Sequence, residues 1–129
     1  MPTRGLAHYN LRARRDVMET LREFYVEVVG LRVGPRPPFG SFGYWLYAGE
    51  TDVLHLSEQR DDEPRRAGSD LTFDHMAFAC TGWPTYEARL EARGIDYVLS
   101  SVPLTERRQA FFRDPAGNGI ELIFPIDDA

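Results

Sequence analysis

The chain has three histidines, and each falls inside a stretch that reads as a strand: His8 in LAHYNLR, His55 in DVLHLS and His75 in LTFDHMAFAC. Glu121 stands in the same way inside GIELIFP. His75 follows His8 by 67 residues and Glu121 follows His55 by 66, so two positions recur once in each half. Side chains alternate along a strand, so His55 and Glu121 point away from Leu54, Leu56, Ile120 and Leu122. With helices over the leucine face, His8, His55, His75 and Glu121 are expected to project together from the other face. Three imidazoles and a carboxylate suit one divalent metal, Zn, Ni, Fe, Mn or Co. A carboxylate buried unpaired in an apolar strand is costly, which asks for a partner at Glu121.

The elements that must position these residues follow from the pattern. After the first strand, over Leu6 to Arg12, DVMETLREFYVEVVG carries Val17, Leu21, Phe24, Tyr25 and Val28 at helical spacing, with Asp16 as N-cap and Gly30 as the stop. LRV is a short strand, and GPRPPFGSFG is a loop at the mouth of a site. YWLYA and DVLHLS are two strands around the turn Gly49-Glu50. The polar run SEQRDDEPRRAGSD, residues 57 to 70, reads as a solvated linker. The plan then restarts: strand LTFDHMAFAC, helix WPTYEARLEARG between Pro84 and Gly94, and strands IDYVLSS, RQAFFR and GIELIFP, the last two joined by the turn DPAGN. Both halves read β-α-β-β-β. The expected organisation is a single domain over 1–129, with module one at about 6–57, a linker at about 58–70 and module two at about 71–125.

Composition bounds the partners. The chain has 129 residues, 43% hydrophobic and 27% charged, with a net charge of −5, the balance of an ordinary globular protein. All 15 basic residues are arginine, which removes Schiff-base catalysis by lysine and the lysine of a phosphate loop. No arginine face with interleaved aromatics points to nucleic acid. No run reaches the roughly 18 apolar residues of a membrane helix, and MPTRGLAHYN has no apolar signal core. Cys80 is the only cysteine, so the expectation is a cytoplasmic protein without an internal disulfide. Alternation places Cys80 with Met76 and Phe78 on the helix-covered side, where it is inert.

REFYVEVVGL after the first strand, FDHMAF opening the second half and FFRDPAGNGIEL closing it resemble the vicinal oxygen chelate superfamily, which includes glyoxalase I, extradiol dioxygenases and bleomycin resistance proteins. The resemblance runs from about Ala7 to Phe124. It implies an α+β fold in which two βαβββ modules form a curved, open barrel-like mixed sheet with the helices outside. It also implies a homodimer, in which a site can draw ligands from two subunits. Carried over by position, His8, His75 and Glu121 match the shared metal triad. His55 stands where glyoxalase I has a glutamate ligand, and is taken as the fourth ligand, with a base beside the metal as its other role.

The chemistry common to the superfamily is chelation of a small substrate through adjacent oxygens, with the metal stabilising an enolate-type oxyanion. The expected activity is therefore a glyoxalase-like lyase or isomerase, with Glu121 moving the proton and His55 in reserve. A single-domain extradiol dioxygenase is the alternative enzyme, and a metal-free drug-binding resistance protein the alternative of another class. Phe39, Tyr44, Trp45 and Phe111 are candidates for an aromatic pocket wall, although alternation separates Tyr44 from Trp45. Arg108 is the candidate for holding an anionic group of the substrate. Asp114, Gly117 and Asn118 in DPAGN form the turn that presents Glu121.

Overall fold

A computed structural model describes residues 2–63, 72–105 and 107–126. The chain divides into two compact units, Met1–Arg65 and Arg66–Ala129, and each is built as strand, helix and three strands. In the first unit β1 (Tyr9–Ala13) leads to α1 (Arg15–Phe24), a π-helical turn (Tyr25–Val29), β2 (Arg32–Gly34), β3 (Gly43–Ala48) and β4 (Thr51–Glu58). The second has β5 (His75–Ala79), α2 (Trp83–Ala92), β6 (Val98–Ser101), β7 (Arg108–Arg113) and β8 (Gly119–Phe124). The sheets run β1-β4-β3-β2 and β5-β8-β7-β6. In each, the first and last strands of the unit pair in parallel at the centre-to-edge position and the remaining pairs are antiparallel. Both sheets are open. The α+β plan of two βαβββ modules is therefore present, and the linker expected over 58–70 lies from residue 64 onwards outside the described residues.

Leucine alternation decides which face is core. Leu46, Leu54 and Leu56 share one face of the first sheet by their register and are fully buried, with α1 lying against β4 and β1. In the second unit Ala110, Phe112, Ile120, Leu122 and Phe124 form the equivalent buried face. Trp83 and Tyr86 of α2 meet Phe124 edge-on at 5.5 and 5.6 Å. Burying each such side chain contributes about 1.5–3 kcal/mol, so this face fixes the register of every strand above it.

The first helix differs from its expected form at its start and along its stripe. The N-cap is Arg14, in an extended conformation, and Asp16 lies inside the first turn, where its charge complements the exposed amides. Met18 is buried and Val17 is exposed, because the helix packs along Met18, Leu21, Tyr25 and Val28, spaced by three, four and three residues. The π-turn adds a residue before Gly30, whose φ of 92° ends the helix. Arg15 grips Glu58 through Nε and Nη2, at 2.7 and 2.9 Å, tying the start of α1 to the end of β4.

Candidate metal centre

In the second unit, His75 pairs with Gly119 across the parallel ladder and Ala77 with Glu121. His75 and Glu121 thus share the face opposite Ile120 and Leu122. His75 Nε2 lies 3.0 Å from Glu121 Oε1. Two donor atoms bound at about 2.1 Å and at right angles on one cation stand about 3.0 Å apart. Each residue is held from behind. His75 Nδ1 meets Asp74 Oδ2 at 2.8 Å, and Gln109 Nε2 donates to Glu121 Oε2 at 3.1 Å. A neutral imidazole that donates Nδ1–H to Asp74 presents a lone pair at Nε2, facing a carboxylate oxygen. With no proton on Nε2 the two facing acceptors would fit a divalent cation between them; with Nε2–H the same 3.0 Å is a hydrogen bond to Glu121. Glu121 is only 6% exposed, so its charge has little water to rely on.

In the first unit, Asn10, Trp45 and His55 are neighbours on the corresponding face. His55, only 9% exposed, is stacked between two rings, with Trp45 at 4.1 Å and His8 at 3.7 Å between centroids. His8 precedes β1 by one residue rather than lying within it, and is exposed. Asp52 joins them: its Oδ2 lies 2.7 Å from His55 Nε2, and donor atoms of His8, Asp52 and His55 all lie within 4.8 Å of one another. The hydrogen bond from His55, with a second from its own backbone amide, holds the Asp52 carboxyl below its ordinary range.

The sequence candidates distribute between the two faces. Trp45 lies on the imidazole face of the first unit, with Phe39 beside it at 6.1 Å and half exposed. Phe111 pairs with Glu121 and meets His75 edge-on at 5.7 Å. It also lines a cleft of about 530 Å³ beside His75, together with Tyr97, Phe112 and Arg113. Tyr44 pairs with Leu56 on the opposite, helix-covered face, where its hydroxyl donates to Glu19 at 2.6 Å and that bond raises its pKa. Arg108 pairs with Phe124 and its guanidinium lies 5.9 Å over Trp83, again on the helix side. Asp114 caps its own turn, accepting from the amides of Ala116 and Asn118 at 2.9 Å each.

Asp52, Asp74 and Gln109 were not identified from the sequence. Asp74 had a signal, since it directly precedes His75 in FDHMAF. Gln109 had none, because its place beside Glu121 depends on the pairing of β7 with β8.

A profile of the Glyoxalase/Bleomycin resistance protein/Dioxygenase superfamily matches residues 5–122, and the chain belongs to this superfamily. Among its relatives, Glyoxylase I 4 of Arabidopsis thaliana is 33% identical over 113 residues. That alignment covers 84% of this chain and 64% of the plant protein, so the chain spans under two-thirds of that relative's length. Among solved structures, lactoylglutathione lyase from Agrobacterium tumefaciens superposes with a TM-score of 0.67 at 21% identity, over 96% of each chain. An antibiotic binding protein from a Streptomyces species does so with a TM-score of 0.69 at 23% identity, over 97% of this chain and 98% of the other. A glyoxalase family protein from Enterococcus faecalis gives 0.66 at 26% identity, over 95% and 99%.

Proposed function

We propose that the chain is a metal-dependent lyase or isomerase of the glyoxalase type, acting on a small substrate with two adjacent oxygens. The observation that carries this reading is the His75–Glu121 pair at 3.0 Å, with Asp74 and Gln109 behind it. His8 and His55 of the first unit, with His75 and Glu121 of the second, are the proposed metal-binding residues. When bound, a divalent cation supplies Lewis-acid stabilisation of charge developing on a substrate oxygen. Glu121 takes the substrate proton at Oε1 and returns it, while Gln109 fixes the other carboxylate oxygen. Asp74 keeps the Nε2 side of the His75 ring turned towards Glu121. Phe111 and the cleft beside His75 suit an apolar group on the substrate, and Trp45 and Phe39 offer a second apolar wall. A cytoplasmic homodimer is part of the same reading, by likeness to the superfamily. The test is turnover of hemithioacetals, formed from 2-oxoaldehydes and thiols, by metal-loaded protein without oxygen. Glu121→Gln is expected to lower kcat by at least about 100-fold, and wild-type protein inert to every hemithioacetal would reject the assignment.

One observation favours a second enzyme reading. Two imidazoles with one carboxylate, as in His8, Asp52 and His55, form the donor set of non-haem iron oxygenases. Ring opening of catechols under oxygen by iron-loaded protein would select it.

A further inference from the structure

His55 and Asp52 are three residues apart on β4, and strict alternation would put them on opposite faces. The ladder with β3 shows why they meet. Trp45 faces His55 and Leu46 faces Leu54, but Ala48 then faces Thr51. Two steps along β3 are matched by three along β4, so Asp52 and Val53 together oppose Tyr47. This is a one-residue bulge, a device that re-aims a side chain. Thr51, opposite Ala48, is back on the Leu54 face, while Asp52 and Val53 both turn towards the imidazole face. The 2.7 Å separation of Asp52 Oδ2 and His55 Nε2 is the direct result.

We infer that Asp52 is a metal ligand, completing with His8 and His55 a set of two imidazoles and one carboxylate built by the first module alone. The inference rests on the metal-dependent reading above. Ligand atoms at about 2.0–2.2 Å from a cation stand about 3–3.5 Å apart. Donor atoms within 4.8 Å of one another reach that spacing by small shifts, with Asp52 Oδ2 and His55 Nε2 opening from their hydrogen-bond distance of 2.7 Å. Trp45, stacked on the other side of His55, backs the ring so that the movement falls to exposed His8 and half-buried Asp52. The Asp52 side chain is 35% exposed against 11% for His55, which leaves the carboxylate side open for a cation to enter. Asp52 thus gives the first module a carboxylate of its own beside its two imidazoles.

A carboxylate at this place has one other role, to orient His55 without touching the metal, and affinity alone does not separate the two, since either loss weakens binding by about 10–100-fold. Replacement by a thiol does. The experiment titrates Co²⁺ into the full chain for wild type, Asp52→Asn and Asp52→Cys, following the visible and near-ultraviolet absorption, with circular dichroism as the check on folding. Wild type, which already carries Cys80, is the blank. The expected results are Co²⁺ binding by wild type, binding about tenfold or more weaker in Asp52→Asn, and a thiolate-to-cobalt charge-transfer band in Asp52→Cys alone. Folded Asp52→Cys that binds Co²⁺ without the band overturns the inference, whatever the affinity of Asp52→Asn, and leaves the metal-dependent reading standing. Wild type that binds no Co²⁺ overturns both.

Discussion

His55 is held on three sides: Trp45 and His8 stack on its two faces and Asp52 takes Nε2. Trp45 therefore reports on it. Metal binding to wild type is expected to change tryptophan emission, and Trp45→Phe, which leaves Trp83 as the only tryptophan, is expected to lose that response. A response retained in Trp45→Phe would place the bound metal away from His55. On the second unit the prediction falls on Gln109, which touches Glu121 and not His75 in the described contacts. Gln109→Ala is expected to weaken metal binding by about 10–100-fold without loss of fold, measured by competition with a chromogenic chelator. The four proposed ligands were visible as candidates because histidine is scarce in this chain and two positions, one of them shared by His55 and Glu121, repeat. Asp52 was not, because a bulge breaks the alternation on which the reading relied. Nor was the separation of Arg108 from the site, since its charge suggested a substrate contact and its register sets it over Trp83.

Strand and helix types were readable from apolar periodicity in both halves, down to β7 and β8 with their DPAGN turn. What periodicity does not show is how close two strands come. Gly119 lies opposite His75, and a Cβ there would collide with the Asp74 carbonyl oxygen and press on the His75 Cβ. Gly119→Ala is expected to cost about 1–3 kcal/mol in denaturant unfolding and to weaken metal binding, by forcing β5 away from β8 at the histidine. The end of α2 gives a pH prediction. Tyr97 donates to Glu91 at 2.7 Å, with a Glu87 carboxylate oxygen also 3.3 Å from its hydroxyl, and the Glu91 bond leads the causes that push its phenol up to about 12. The folded state favours the neutral phenol, so this stabilisation is whole below the unfolded value of about 10 and is lost as pH rises from there through about 12. The gap in melting temperature between wild type and Tyr97→Phe should therefore shrink over that window. A gap that stays constant would mean that the phenol makes no such bonds in solution.

At the scale of the molecule, each unit places its ligand-type residues on the face away from its leucines, and does so by the same strand order. That repetition ties the fold to the chemistry: the parallel pair of first and last strands in each unit brings the two positions side by side. No helix among the described residues is long and apolar enough to cross a membrane. Composition bounded the expected partners but did not choose a reaction, because the reaction depends on which donors meet a cation and what the adjoining cleft admits. The most direct test is elemental analysis of protein purified without chelators, for wild type, His75→Ala and Glu121→Gln. The account predicts a divalent metal at near-stoichiometric content in wild type, largely lost in both variants. Wild type without metal, and unable to take up Zn, Ni, Co, Mn or Fe on dialysis, would contradict it.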